Sequence, residues 1–189
     1  MGILVLLNTL LPLSPIFILL FCISQLIFTY DIKYIIFISF YFINEIIIHL
    51  FKTTSSKLLN YSVTKRPDNF GTFTENNKNY YIGTNPFPQI HTISGLTKPT
   101  TTFGFPSGHS LTMIAFATFV TLDQLNDNNQ FNPEHLPRYI MPWLFAFAVL
   151  WQRWFSRCHS PIQIFLGSLL GIGVGMGFFY LYKLTKKNY

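Results

Sequence analysis

The chain has 189 residues, half of them hydrophobic and 18% aromatic, with 11% charged and a formal net charge of +6. Soluble domains carry about 25% charged residues, so this composition excludes an ordinary soluble domain and points to one membrane domain over residues 1–189. The positive charge forms no basic stripe with interleaved aromatics, which excludes nucleic acid as a partner. Cys22 and Cys158 lie far apart in apolar surroundings and imply neither a disulfide scaffold nor a zinc site.

The first residues lack a basic region and a small-residue cleavage site, so no cleaved signal peptide is expected. Five apolar spans follow, which predict an all-α bundle of about five transmembrane helices with its polar site at one membrane face. The first runs from Leu13 to Tyr30, with Pro12 and Pro15 marking its start. The second runs from Tyr34 to Phe51 and contains Asn44, Glu45 and His49, which are costly in lipid and are expected to face inward. Glu45 is given a structural role there. A long polar segment, residues 52–105, comes next. The third span starts at Pro106-Ser107-Gly108-His109 and ends near Leu125. The fourth runs from Tyr139 to Trp154 and the fifth from Ile162 to Tyr182. In the fifth, Gly167, Gly171 and Gly175 recur every four residues, and Gly173 and Gly177 repeat that spacing. Such spacing lets helices approach closely and is read as packing within the bundle, with dimerisation as the alternative.

Span parity brings the polar candidates to one face. The loop after the second span carries Arg66 and leads to His109, and the loop between the fourth and fifth carries Arg153, Arg157 and His159. The Pro-Ser-Gly stretch opens a helix whose first amides lack intrahelical acceptors, and the helix dipole adds positive charge there. Such an end can hold a phosphate. Arginine forks match phosphate oxygens, and of two histidines one can attack phosphorus while the other moves a proton.

Arg66-Pro67, then Pro106-Ser107-Gly108-His109, then Arg153 with His159 six positions on, resemble the three signature motifs of the type-2 phosphatidic acid phosphatase superfamily. The resemblance implies that His159 is the nucleophile, forming a phosphohistidine, and that His109 is the general acid. It gives Arg66, Arg153, a lysine and the amides of Ser107 and Gly108 the phosphoryl oxygens, with no metal and no cofactor. The family usually has Asp four residues after the nucleophile to orient its ring; here that position is Gln163, which is similar to the dolichyl-diphosphate phosphatase branch. Asn44-Glu45 with Lys52 seven residues after the Glu, and Leu13-Ser14-Pro15, resemble the same branch. The family's lysine stands seven residues before the Arg-Pro arginine, where this chain has Leu59; Lys52 is favoured over Lys57 and Lys65. Gln152 replaces the usual Ser before Arg153.

The resemblance therefore implies a metal-independent phosphatase that hydrolyses a polyprenyl (dolichyl) diphosphate in the bilayer. A phosphatidate-like monoester, or a non-catalytic role in binding lipid phosphate, are the alternatives. Lys186-Lys187 near the end resembles a dilysine retrieval signal of the endoplasmic-reticulum membrane, which places the C-terminus in the cytosol and the active face in the lumen. Asn60-Tyr61-Ser62 is a glycosylation sequon on that active side.

Overall fold

The computed structural model describes residues 7, 10–67, 72–75, 78–81, 103–127 and 136–187. A short 3-10 turn, Leu11–Leu13, leads into helix α1 (Ser14–Thr29). Helix α2 (Ile32–Leu58) is followed by a one-turn helix α3 (Tyr61–Thr64) and an antiparallel hairpin, β1 (Thr72–Glu75) with β2 (Lys78–Tyr81). Its register sets Thr72 opposite Tyr81 and Glu75 opposite Lys78. Then come α4 (Gly108–Asp127), α5 (Leu136–Phe155) and α6 (Pro161–Lys187). Among the described residues the regular structure apart from the hairpin is helical, with five long helices matching the five expected spans. The stretch 82–102, most of the Tyr80–Thr102 region without an expected role, lies outside the described residues, as does the end of the dilysine segment at 188–189.

Three segments, Leu11–Thr29, Ile32–Leu58 and Pro161–Lys186, are long and apolar enough to cross a membrane. Their outer faces carry large exposed apolar side chains, among them Phe17, Leu20, Phe28, Phe42, Ile46, Phe165 and Leu169. Water would not tolerate so broad an apolar surface, and hydrocarbon accepts it. The protein is thus an integral, multi-pass membrane protein. Helix α4 sits inside this rim. Leu111, Met113, Ala115 and Ala117 have no exposed surface, and the polar Ser110, Thr112 and Thr118 are buried as well. A helix enclosed by other helices need not be apolar on every side, so α4 can carry these polar residues.

In a bilayer no hydrophobic gain draws helices together, so close packing and interhelical hydrogen bonds must do it. Gly167, Gly171 and Gly175 line the α6 face that meets α4. A Cβ on them would lie 2.7 Å from the Ser107 carbonyl oxygen, 2.6 Å from that of Leu111 and 2.5 Å from that of Ala115. The in-bundle reading of this stripe holds for these three. Gly173 and Gly177 face open space. Asn44 joins α2 to α4 by donating to Thr112 Oγ1 at 2.6 Å. Phe37 on α2 meets Phe40, Phe116 and Phe119 edge-on, with ring centroids 5.2 to 5.4 Å apart. At the end of the bundle away from His109 and His159, Lys33 bridges Asp31 (3.4 Å) and Asp123 (3.3 Å), tying α2 to α4.

Two expectations are corrected. Helix α2 ends at Leu58, not Phe51. Its polar last two turns stay helical because their hydroxyls donate back to the preceding turn: Thr53 to the carbonyls of His49 and Leu50, Ser55 to Lys52, Ser56 to Thr53. The polar segment therefore leaves the helix only after Leu58. Second, of the three polar residues on α2 only Asn44 is buried; Glu45 and His49 are exposed. One helix face cannot hold consecutive residues: 44 and 48 turn inward, which rotates 45 and 49 outward.

Replacing Gly171 or Gly175 by Leu should force α6 off α4 and cost about 1–3 kcal/mol, a usual range for overpacking. Gly173→Leu should leave stability unchanged. Thermal unfolding in detergent distinguishes the two faces.

Candidate active site

The site lies where the C-terminal end of α2, the N-terminal ends of α4 and α6, and the C-terminal end of α5 meet. Helix α5 stops because Arg157 adopts a left-handed conformation (φ 55°), with its amide bonded to the Trp154 carbonyl at 2.9 Å. That turn faces Arg157 outward and directs Cys158 and His159 inward. Arg157 is thus exposed and stands apart from the site. Arg153, in the last turn of α5, is 1% exposed.

His159 is 3% exposed, and its Nδ1 lies 2.8 Å from the Gly104 carbonyl oxygen. A carbonyl can only accept, so Nδ1 carries the proton and the neutral ring presents its Nε2 lone pair. That Nε2 faces the Nη1 of Arg66 at 3.5 Å. Arg66 is itself fixed by donating from Nη1 to the Cys158 carbonyl at 2.8 Å. The segment bearing Arg66 pairs with the segment bearing Gly104: the Gly104 amide donates to the Thr64 carbonyl at 2.8 Å, and Lys65 bridges Phe103 in antiparallel fashion. A side chain at Gly104 has no room. Its Cβ would stand 2.5 Å from Gln163 Oε1 and 2.9 Å from Arg66 Cγ.

His109, in the first turn of α4, is held differently. Its Nε2 lies 3.0 Å from the Pro12 carbonyl oxygen, so Nε2 carries a proton and Nδ1 is the atom left to exchange one. Lys52 senses the charges of Arg66, Arg153 and Glu45, whereas Lys57 is exposed and Lys65 lies over the Tyr61 ring, 5.7 Å from its centroid. Of the three lysines considered, Lys52 is the one shown within electrostatic reach of both arginines. Five of the expected residues therefore come together: Lys52, Arg66, His109, Arg153 and His159.

Two others are placed differently from expectation. Gln163 does not reach the His159 ring. Its Nε2 donates to the carbonyls of Val63 and Lys65, both at 2.8 Å, and its Oε1 accepts from the Ser160 amide at 3.2 Å. The ring-orienting place belongs to a backbone carbonyl, that of Gly104. Ser107 has its amide engaged with the Gln163 carbonyl (3.3 Å) and its hydroxyl accepting from that of Ser110 (2.8 Å). The Gly108 amide, one residue on, has no acceptor within the helix.

Sequence reasoning missed Gly104 and Thr64, because a residue that acts through its backbone leaves no side-chain signature. Ser160 and Gln163 did leave one. With Pro161 at the first helical position they form a capping box: Gln163 N–H donates to Ser160 Oγ at 3.4 Å while Oε1 accepts from the Ser160 amide.

Electrostatics follow from this crowding. Burial first, then the guanidiniums of Arg66 and Arg153 and the ammonium of Lys52, hold His159 well below its ordinary value. Its imidazole is therefore neutral at pH 7, as a nucleophile requires.

Residues 33–187 match the family model of the PAP2 superfamily. The chain belongs to the PAP2 superfamily. Among curated proteins, Dolichyldiphosphatase 1 of Dictyostelium discoideum is 36% identical over 75 residues, covering 39% of this chain. The match spans 33% of that protein's length. No solved structure matches the chain. The PAP2 match takes in all five long helices except α1, and with them every converging side chain described above.

Removing a neighbouring cation should raise the His159 pKa. In Arg66→Gln the ring should titrate closer to its ordinary value of about 6.5, while the wild-type ring stays neutral to lower pH. NMR of 15N-histidine-labelled protein in micelles, assigned with His159→Gln, reads both the titration and the Nδ1–H tautomer.

Proposed function

We propose that this protein is a membrane phosphatase that removes the terminal phosphate of a polyprenyl (dolichyl) diphosphate, releasing the lipid monophosphate and inorganic phosphate. The observation that carries the reaction is the convergence of a neutral His159, with its Nε2 presented beside Arg66, and His109 among buried cations at one end of a lipid-facing bundle. Similarity to a dolichyldiphosphatase supports the substrate.

Nε2 of His159 attacks the terminal phosphorus, and the bridging P–O bond breaks. His109, doubly protonated once the anionic diphosphate sits among the cations, delivers its Nδ1 proton to the departing lipid phosphate and keeps its Nε2 proton on the Pro12 carbonyl. Nδ1 then takes a proton from water as that water attacks the phosphohistidine, which releases phosphate and restores both rings. Lys52, Arg66, Arg153 and the Gly108 amide stabilise charge on the phosphoryl oxygens, the main contribution a protein makes to phosphoryl transfer. Helix α6 closes at the opposite end of the bundle with Lys186 and Lys187, which supports a lumenal active face and a cytosolic end of α6 in the endoplasmic reticulum.

Purified protein in detergent with EDTA should release phosphate from dolichyl diphosphate in preference to phosphatidate, and His159→Ala should lower the rate by roughly 1,000-fold or more. Release mainly from phosphatidate would keep the mechanism and replace the substrate. Binding of both lipids with release from neither would overturn the enzyme.

Lys52→Met should raise KM about 10- to 100-fold, the range of one hydrogen bond to a charged group. Lys57→Met should change nothing. Steady-state kinetics on the two variants separates them.

A further inference from the structure

We propose that Gln163 is a positioning residue that holds Arg66 and His159 in register through the backbone, and that the position requires an amide rather than a carboxylate. The inference rests on reading the site as a phosphatase centre.

Gln163 is wholly buried, and every polar group it has is used. Its two Nε2 protons go to the carbonyls of Val63 and Lys65, the residue next to Arg66. Its Oε1 accepts from Ser160, the residue after His159. Its backbone carbonyl accepts from Ser107 at the start of α4. Its side chain also fills the space beside Gly104, whose carbonyl fixes the His159 ring. One residue thus joins the three segments that bear the reacting groups. The bonds to Val63 and Lys65 demand a donor. A carboxylate has the right shape at Glu length but can only accept. It would lose both bonds and set negative charge against two carbonyl oxygens, in a place with no water to relieve it.

The charged and titratable groups beside this position are Lys65 and Arg66 from the segment after α3 and His159 before α6, and His159 in turn feels the charges of Arg153, Lys52 and His109. Their positive charge favours an anion. A carboxylate at 163 would therefore be expected to help if charge were what mattered there, and to harm if donation is what matters.

The experiment compares wild type with Gln163→Glu, Gln163→Asp and Gln163→Met, reading kcat and KM for phosphate release and calorimetric binding of inorganic phosphate. All three variants should lower kcat by about 100-fold, the effect of a misplacement near 1 Å. Each should weaken phosphate binding about tenfold, because Arg66 is no longer held. Gln163→Glu should regain activity relative to Gln163→Met as the pH falls from about 8 to about 5.5, since a protonated acid can donate one of the lost bonds. A purely structural role would not produce that difference. Gln163→Met, which adds no charge, carries the test if Gln163→Glu fails to fold. Gln163→Asp or Gln163→Glu as active as wild type, or more active, would overturn the proposal. If wild type releases no phosphate from any lipid but binds phosphate in a Gln163-dependent way, the reaction falls and the positioning role stands.

Discussion

Positive charge buried at one end of the bundle is the constraint on which the rest of the structure depends. Arg66 and Arg153 are 7% and 1% exposed, and Lys52 lies within reach of both. Unlike charges would relieve one another in such a place, but like charges in a poorly polarisable interior repel and lose their hydration. The protein offsets part of this cost with fixed dipoles. Arg66 donates to the Cys158 carbonyl, and Arg153 sits in the last turn of α5, where the helix dipole is negative. The opening turns of α4 and α6 add positive potential rather than removing it. The arrangement is most favourable with an anion bound among these groups, which makes affinity for an anion a property of the fold as well as of individual side chains.

The scaffold keeps these groups in place mainly through main-chain atoms. His159 is oriented by one carbonyl, His109 by a second, and Arg66 by a third. Gln163 links the carriers to one another, and the glycine face of α6 brings α4 close enough for the Ser107 amide to reach the Gln163 carbonyl. Backbone acceptors are rigid and cannot titrate, so the orientation of the two rings does not change with pH. Side chains in the same roles would add rotamer freedom and, for carboxylates, a second ionisation.

The order of the helices and the side chains that converge at one end of the bundle were legible in the sequence because both rest on residue type and spacing. Apolar runs mark spans, and histidine and arginine at fixed separations mark phosphate chemistry. The inward turn of Asn44 and the packing face of Gly167, Gly171 and Gly175 followed from polarity and size. The length of α2 was not legible, because Ser and Thr usually signal a helix end and here their hydroxyls bond back along the helix. The exposure of Glu45 and His49 was missed because polarity says that a residue avoids lipid but not which face it occupies. The role of Gly104 was hidden because a carbonyl group is common to all residues. For Gln163 the residue was found and its partners were not: the expected ring contact gave way to two carbonyls nearly a hundred residues earlier in the chain.

The bond from His109 to Pro12 reaches outside the stretch that matches the PAP2 family model. Pro12 precedes residue 33, where the PAP2 match begins, yet its carbonyl decides which nitrogen of His109 exchanges a proton. In the proposed reaction the shared core therefore supplies the acid, and the segment before it sets the acid's bearing. In that reaction, changes near the start of α1 would retune proton delivery to the leaving group while every signature residue stays as it is. Divergence among relatives can thus act on this reaction from a part of the chain where motif comparison would not look.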